Sequence, residues 1–512
     1  GEPIAASRYF LTDLLRGEYG FDGYVVSDSE AVEFVHTKHA VAETPGDAAR
    51  MVLEAGLNVR THFTPPEDFV RLVREQVTSG RLSMSVVDRR GAEVLSVKLP
   101  EGVKPDDVKV RPYGCAECLK VADGQARIRL DRPRMHVIEF GEGRPQLHVF
   151  ADPPFVHRSV PGELYFGPGV HEAGVICPTN GQTVCIDAGA TVYGALMLEG
   201  VTNVTICGHG ILDSSGIRRT HADGSYLRPL TPTEKANLTD VTSFMCRRSE
   251  NVSVEGIVLR DSPFWVMVFR ENCRHVRIRD VKIVGQWRYN SDGIDICGCK
   301  DVVVTDSFIR SFDDCFVVRD GSGCGEESVS RDITCADSLL WCDWGGNFKA
   351  QLSFADHARI EKVGVRRCVF ANVQNWGVII AARPGGLDGI IRDVTVEDVE
   401  LDLSPVRYKQ RLQKRSNPDE AFVFERQPML KLIDVMNYDW QRKPLSRISL
   451  LYDRLTFRRF RVFGPCDSIL AHVQLTAGKE EIRDFMTEDL PPGIIWSKKA
   501  TFTRSSASAE SL

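Results

Sequence analysis

Several things are scarce in this sequence, and each scarcity removes a class of protein. No apolar run is long enough to span a bilayer. Neither sign of charge dominates: 64 Lys and Arg stand against 70 Asp and Glu, a formal net charge of -6 at pH 7. The chain therefore has no long-range attraction for nucleic acid or for an anionic membrane, and neither is expected as a partner. There is no P-loop and no Gly-x-Gly-x-x-Gly following a strand, so no organic cofactor is expected. The chain opens on GEPIAASRYF, without Met or a leader, as if cut from something longer. Its compartment is left open by this, with secretion or a periplasmic location compatible.

Cysteine is present but unpatterned. The 15 Cys are an odd number without regular spacing, which argues against a disulfide framework. Cys207, Cys246, Cys273, Cys297, Cys299, Cys315, Cys335 and Cys368 fall in apolar strands and read as small buried hydrophobes. Cys115 and Cys118 have the spacing of half a zinc site, but no second pair is nearby, and no metal is expected.

What is there is ordinary in amount and unusual in arrangement. The 512 residues, 43% hydrophobic and 26% charged, suit a soluble protein of two or three domains. Residues 1–98 read as α/β. LTDLLRGEYG is an amphipathic helix stopping at Gly20, and FDGYVVSD is a short buried strand ending in Asp28. PGDAARMVLEAGLNVR, and the stretch from PEDFVRLVREQ to LSVK, carry apolar residues at helical spacing. One or two strands cannot close a barrel, so this zone alone should be marginal. Residues 99–154 change to short alternating strands (VKVRPYG, QARIRLD, MHVIEFG, QLHVFAD), expected as a small β-sandwich-like domain.

From 155 to 485 the chain repeats. NVTICGHGILD begins at Asn203, NVSVEGIVLRD at Asn251, HVRIRDVKIVG at His275 and DVVVTDSFIRS at Asp301, with further copies at Arg331 and Arg392. Second short strands such as PFWVMVFRE, GIDICG and CFVVRDG lie between them. Such a unit cannot bury its own apolar face, and stacking coil on coil builds one continuous core. The expectation is a mainly β protein dominated by a right-handed parallel β-helix, with 486–512 as a polar tail. A leucine-rich-repeat horseshoe fits poorly, because the Leu consensus is absent.

One coil, NSDGIDICGCKDVVVTDSFIRSFDDCFVV, places Asp292 21 residues before the pair Asp313 and Asp314. That gap is near one coil, so the three carboxylates should cluster on one surface. Close like charges cost stability unless a proton, a cation or a substrate offsets them. Glycoside hydrolysis needs this set: one acid with a raised pKa protonates the leaving oxygen, and carboxylates opposite activate water. A calcium or lyase-type site, and solvated turn residues without a role, are the other readings.

These residues resemble glycoside hydrolase family 28, the polygalacturonase group, whose fold is a right-handed β-helix. YFGPGVHEAGVI, GQTVCIDAGATVYGAL and NVTICGHGILDSSG extend the resemblance into earlier coils. The resemblance implies Asp313 as general acid, Asp292 and Asp314 as the pair that holds and deprotonates water, and inversion at the anomeric carbon. It also implies a polysaccharide or oligosaccharide substrate. Two family features are missing. The coil after the Asp pair reads LLWCDWGGNFKAQ instead of carrying Gly-His-Gly; the GHG at 208–210 lies in an early coil and reads as a turn. Ile379 and Ala381 stand where the family has an Arg-x-Lys clamp for the uronate carboxylate. A site lacking its cationic partner holds an acidic sugar poorly. A neutral glycan is at least as good a fit, as in dextranase-like β-helix hydrolases, and an inactive glycan-binding β-helix is the alternative from another class. Substrate-binding candidates are Asn290, Trp341, Asp343, Trp344, Lys349 and Arg383, with the rings of Trp265, Trp287 and Trp376 near the same edge.

The front end, LTDLLRGEYGFDGYVVSDSEAV running on to about residue 98, resembles glycoside hydrolase family 3, the β-glucosidase and β-xylosidase group. The resemblance implies that Asp28 matches a retaining nucleophile at the end of a barrel strand. The earlier strands and the usual source of the acid/base are absent, so Asp28 is expected to be a vestigial nucleophile.

Overall fold

The computed structural model describes residues 2–21, 25–58, 60, 66–83, 86, 93–112, 119–122, 124–130, 135–141, 144–152, 155–217, 242–288, 290–321, 328–352, 356–373, 376–382, 387–403, 430–435, 449–463, 469–474, 480–490 and 494–499. Cys115, Cys118, Arg383 and most of the 486–512 tail lie outside these residues. The chain divides into two compact units, Gly1–Pro153 and Pro154–Leu512.

In the first unit, helices Ala31–Thr37 and Pro45–Ala55 surround a small core that includes Leu11, Val32, Val35, Ala48, Val52 and Leu57. The second helix starts where sequence says it should. Thr44 Oγ1 accepts from the Asp47 amide at 3.1 Å, and Pro45 sits in the first turn. Helix Pro66–Thr78 follows. The segment expected as a buried strand before Asp28 differs from that reading: Val26 forms only an isolated bridge and is 56% exposed. Among the described residues its pairing is confined to Asn58, whose amide donates to the Val25 carbonyl at 3.0 Å and whose side-chain oxygen accepts from the Val25 amide at 3.1 Å; residues 22–24 lie outside the described residues. The strand Glu93–Lys98 pairs antiparallel with Gln125–Leu130, which also pairs with Leu119–Ala122. Val108–Arg111, Met135–Phe140 and Leu147–Phe150 form a second antiparallel sheet. Ala126 and Ile128 of one sheet share a core with Val110 and Ile138 of the other.

The second unit is a parallel β-helix. Each full coil supplies three short strands, and each strand pairs in parallel with its counterpart one coil on. Phe244–Arg247 stacks on Met267–Arg270, then Ile294–Cys297, Phe316–Arg319, Gly346–Leu352 and Trp376–Ala382. Strand alternation turns every second side chain inward. Phe244, Met267, Ile294, Phe316, Phe348 and Val378 form one such column in a single continuous core. Each fully buried side chain of this kind is worth about 1.5–3 kcal/mol. The cysteines described are all unpaired, and eight of the eleven are buried.

The recurring residue before Val has a geometric meaning. Asn203, Asn251, His275, Asp301, Asp332, Lys362, Asp393 and Arg454 all sit at φ between 50° and 58°, one above another at the same corner of successive coils. Asn and Asp tolerate this left-handed conformation best among side-chain-bearing residues. Their side chains meet between coils: His275 Nδ1 lies 2.7 Å from Asp301 Oδ2, and Arg454 Nη2 donates to Asp393 Oδ2 at 3.0 Å.

Candidate active site

The three aspartates stand at the turns that lead into two stacked strands, Ile294–Cys297 and Phe316–Arg319. The register pairs Ile294 with Phe316, a step of 22, and the Gly293 amide donates to the Asp314 carbonyl at 2.8 Å. Asp292 thus lies beside Asp314, with Asp313 one residue ahead; the sequence gap of 21 points to the neighbouring residue. All three carboxyls come together, since Asp292 feels the charges of both Asp313 and Asp314. They are deeply set, at 2% exposure for Asp292 and Asp314 and 8% for Asp313.

Each carboxyl has its own environment. Asp314 is the most firmly paired: Lys349 Nζ donates to Oδ2 at 2.7 Å and the Gly346 amide to Oδ1 at 2.9 Å. Asp313 accepts from the Asp314 amide at 3.1 Å and, at 3.5 Å, from Asn290 Nδ2. Burial, and next the adjacent Asp314, push its pKa up to about 7, against the pull of Lys349 and Arg319. Asp292 Oδ2 accepts from Arg319 Nη2 at 3.3 Å, while Oδ1 is buried with no hydrogen-bond partner among the described residues. Burial holds Asp292 well above the usual carboxylate range, reinforced by Asp295, Asp313 and Asp314 and opposed by Arg319. Glycine permits the crowding. A Cβ on Gly345 would come within 2.6 Å of Asp313 Oδ1 and of the Asp314 amide nitrogen.

The substrate-binding candidates separate. Asn290 and Lys349 touch the trio. Trp344 is half-buried and stacks on Phe312, with centroids 5.9 Å apart and planes at 13°. Trp341 corrects the sequence expectation. It is fully buried, and a ring with no exposed face cannot stack on a sugar. Its indole N–H donates to Asp343 Oδ1 at 2.9 Å. Asp343 is also withdrawn from ligand contact, because it accepts from Arg310 Nε and Nη2 at 3.0 and 3.2 Å and from Asn372 Nδ2 at 3.3 Å. These bonds brace the turn carrying Gly345 and Gly346. Among the other tryptophans, Trp265 lies under the Arg319 guanidinium at 5.0 Å, and Trp287 is exposed and donates to Asp261. His209 sits between Phe155 and Asp280, and Gly208 needs its φ of 115° because a Cβ would meet the Ile186 carbonyl. This matches the turn reading of that stretch.

Asp295, Arg319 and Gln351 join the site although the motif pattern alone assigns them no role. Asp295 is fully buried, and Arg319 Nε donates to its Oδ1 at 3.2 Å while Nη1 donates to Gln351 Oε1 at 2.9 Å. The signal was present as spacing. Residues 295 and 319 are 24 apart, one register step of 22 plus one strand repeat of 2, which makes them diagonal neighbours on the outward face.

Fold and site together define a parallel β-helix with a buried carboxylate cluster at the turns on one face. Comparison with known proteins divides the chain in the same way. Residues 184–337, which hold the entire cluster up to Arg319, match the family model "Glycosyl hydrolases family 28"; residues 1–97 match "Glycosyl hydrolase family 3 N terminal domain". The β-helix thus resembles family 28 and the segment ahead of it resembles family 3. A polygalacturonase of Chamaecyparis obtusa is 29% identical over 209 residues, 40% of this chain and 38% of that protein. A probable β-D-xylosidase 7 of Arabidopsis thaliana is 27% identical over 172 residues, 33% of this chain and 21% of that protein. The chain thus spans well under half the length of these relatives. Among solved structures, an exopolygalacturonase from Thermotoga maritima has a TM-score of 0.41 at 16% identity, covering 65% of this chain and 82% of that one.

Proposed function

We propose that the β-helix is a glycoside hydrolase that cleaves a polysaccharide or oligosaccharide with inversion. The observation that carries this is the division of labour within the trio. Asp313 keeps its proton to about pH 7, while Asp314 beside it is held by Lys349 and a backbone amide. Two adjacent carboxyls with environments this different suit an acid and a base. In this reading Asp313 protonates the glycosidic oxygen as the bond to the anomeric carbon breaks. Asp292 and Asp314 hold a water on the opposite face, and one of them takes its proton as the water oxygen bonds to that carbon.

The reading extends to substrate class. Lys349 is engaged by Asp314 and Arg319 by Asp292, Asp295 and Gln351; Ile379 stacks on Lys349 and Ala381 on Gln351, and both are buried. This favours a neutral sugar at the point of cleavage. The strand Ile494–Lys499 pairs in parallel with Ile469–Gln474, so the β-helix continues past the expected end at 485; we assign residues 155–499 to this hydrolase domain, 99–154 to a small β domain and 1–98 to a family 3 remnant.

The test is reducing-sugar release from polygalacturonan, rhamnogalacturonan, dextran and xylan. Asp313→Asn should lower turnover on the preferred glycan by about 10²- to 10⁴-fold, the usual worth of a general acid. Retained turnover in that variant would refute the assignment. Binding of a glycan without release from any of the four would favour a binding module.

A further inference from the structure

Beneath the trio lies a second layer that the proposed mechanism leaves unused. Asp295 is fully buried three residues past Asp292, and its Oδ2, like Asp292 Oδ1, has no hydrogen-bond partner among the described residues. An isolated buried carboxylate is costly, and two within reach of each other are costlier. What joins them is a single side chain. Arg319 divides its donors among Asp295 (Nε, 3.2 Å), Asp292 (Nη2, 3.3 Å) and Gln351 (Nη1, 2.9 Å), and its plane rests over Trp265. A guanidinium held on four sides has one orientation, and so does the Asp292 oxygen it binds.

We propose that Arg319 and Asp295 form a positioning pair for Asp292: Arg319 fixes the orientation of its carboxylate, and Asp295 anchors Arg319. This rests on the hydrolase reading for its catalytic meaning, but not for its electrostatics. The groups facing Asp292 are Asp295 on its own coil and Arg319, Asp313 and Asp314 on the next, with Lys349 on the coil beyond. From the preceding coil comes Trp265, whose ring lies under the Arg319 guanidinium. Four carboxyls (Asp292, Asp295, Asp313, Asp314) thus share two cations, Arg319 and Lys349.

The two partners pull in opposite directions, and this gives the proposal its test. Burial and Asp295 raise the Asp292 pKa, and Arg319 lowers it. Arg319→Gln should therefore move Asp292 titration to higher pH, and Asp295→Asn should move it to lower pH. Arg319 also lowers Asp313, so Arg319→Gln should carry both limbs of the pH–rate profile upward, whereas Asp295→Asn should move the acidic limb alone. Arg319→Lys keeps the charge but not the fork, and should keep the limbs near their wild-type positions with about 10-fold lower kcat. A merely structural pair would lower activity in all three variants without opposed shifts.

The first readout needs no substrate: infrared titration of the protonated-carboxyl band, assigned by its loss in Asp292→Asn. Opposed shifts in Arg319→Gln and Asp295→Asn support the pair; shifts of the same sign, or none, overturn it. If Arg319→Gln fails to fold, Asp295→Asn decides alone, since an unmoved Asp292 band refutes the coupling. Opposed infrared shifts without turnover on any glycan would leave the pair standing and sink the hydrolase reading.

Discussion

Asp313 keeps its proton up to about pH 7 because burial and Asp314 both disfavour its charge. An unfolded aspartate titrates near 3.9. The folded state therefore binds the proton more tightly, and the stabilisation this gives is complete below the unfolded value and lost as pH rises through about 7. Asp295, pushed up to about 6, acts in the same direction. The Asp313 term is on the order of a few kcal/mol. Asp313→Asn removes the charge and keeps an oxygen for the Asp314 amide. Its melting temperature should match wild type near pH 4 and exceed it by a few degrees at pH 8; a constant offset across that range would contradict the burial argument. Gly345→Ala probes the same crowding from the other side. The new methyl meets Asp313 Oδ1 and the Asp314 amide at 2.6 Å, so kcat should fall at least 10-fold with circular dichroism unchanged. At this scale sequence was an uneven guide. The aspartates announce themselves because charge is rare in an apolar run, and their residue types carry the chemistry. Trp341 and Asp343 misled because an aromatic and a carboxylate in one turn look alike whether they face a sugar or each other. Only the Trp341–Asp343–Arg310 bonds tell the two apart.

The element that organises the β-helix is the left-handed corner. Its column runs from Asn203 through Asp301 to Asp484, and the sequence displays it as the residue before each repeated Val, Ile, Leu or Phe. The repeat was legible because the same backbone conformation at every coil selects from the same few residues. The register was less so. Coils differ in length: the step is 22 between Ile294 and Phe316 but 32 between Phe316 and Phe348, and turn insertions leave the pattern of alternation unchanged. A counted gap therefore places a residue on the right face and can miss its neighbour by one. The corner argument predicts that Asp301→Val destabilises the protein by about 1–2 kcal/mol, the cost of a branched side chain at φ 54°. Asp301→Asn removes the charge facing His275 and Arg277 but tolerates the backbone. These pairs are exposed, and such ion pairs contribute little, so chemical denaturation should find this variant within about 0.5 kcal/mol of wild type. Equal losses in both would mean that the ion pairs, not the corner, carry the stability.

Across the whole chain, two segments that resemble different hydrolase families each present an aspartate, and their surroundings separate them. Asp28 is exposed, and its Oδ1 accepts from the amide of Ser29 next to it at 2.7 Å. Val26, two residues earlier, is exposed as well, where a barrel strand would be covered on both faces. A retaining nucleophile works only when a second carboxyl protonates the leaving group and the site excludes bulk water. Asp313, by contrast, is buried, crowded by glycine and flanked by paired carboxylates. Both motifs are legible as residue strings, but a string does not show whether the rest of a site has been built around it. Incubation with a 2-deoxy-2-fluoro-β-glycoside bearing a good leaving group should therefore leave the intact mass unchanged. Such a reagent traps a glycosyl-enzyme intermediate only where a retaining nucleophile operates, and neither an inert Asp28 nor an inverting trio forms one. Asp28→Asn should likewise leave glycan turnover within twofold of wild type. A covalent adduct on the peptide containing Asp28 would place working chemistry in the first unit, and the β-helix would then have to be assigned anew.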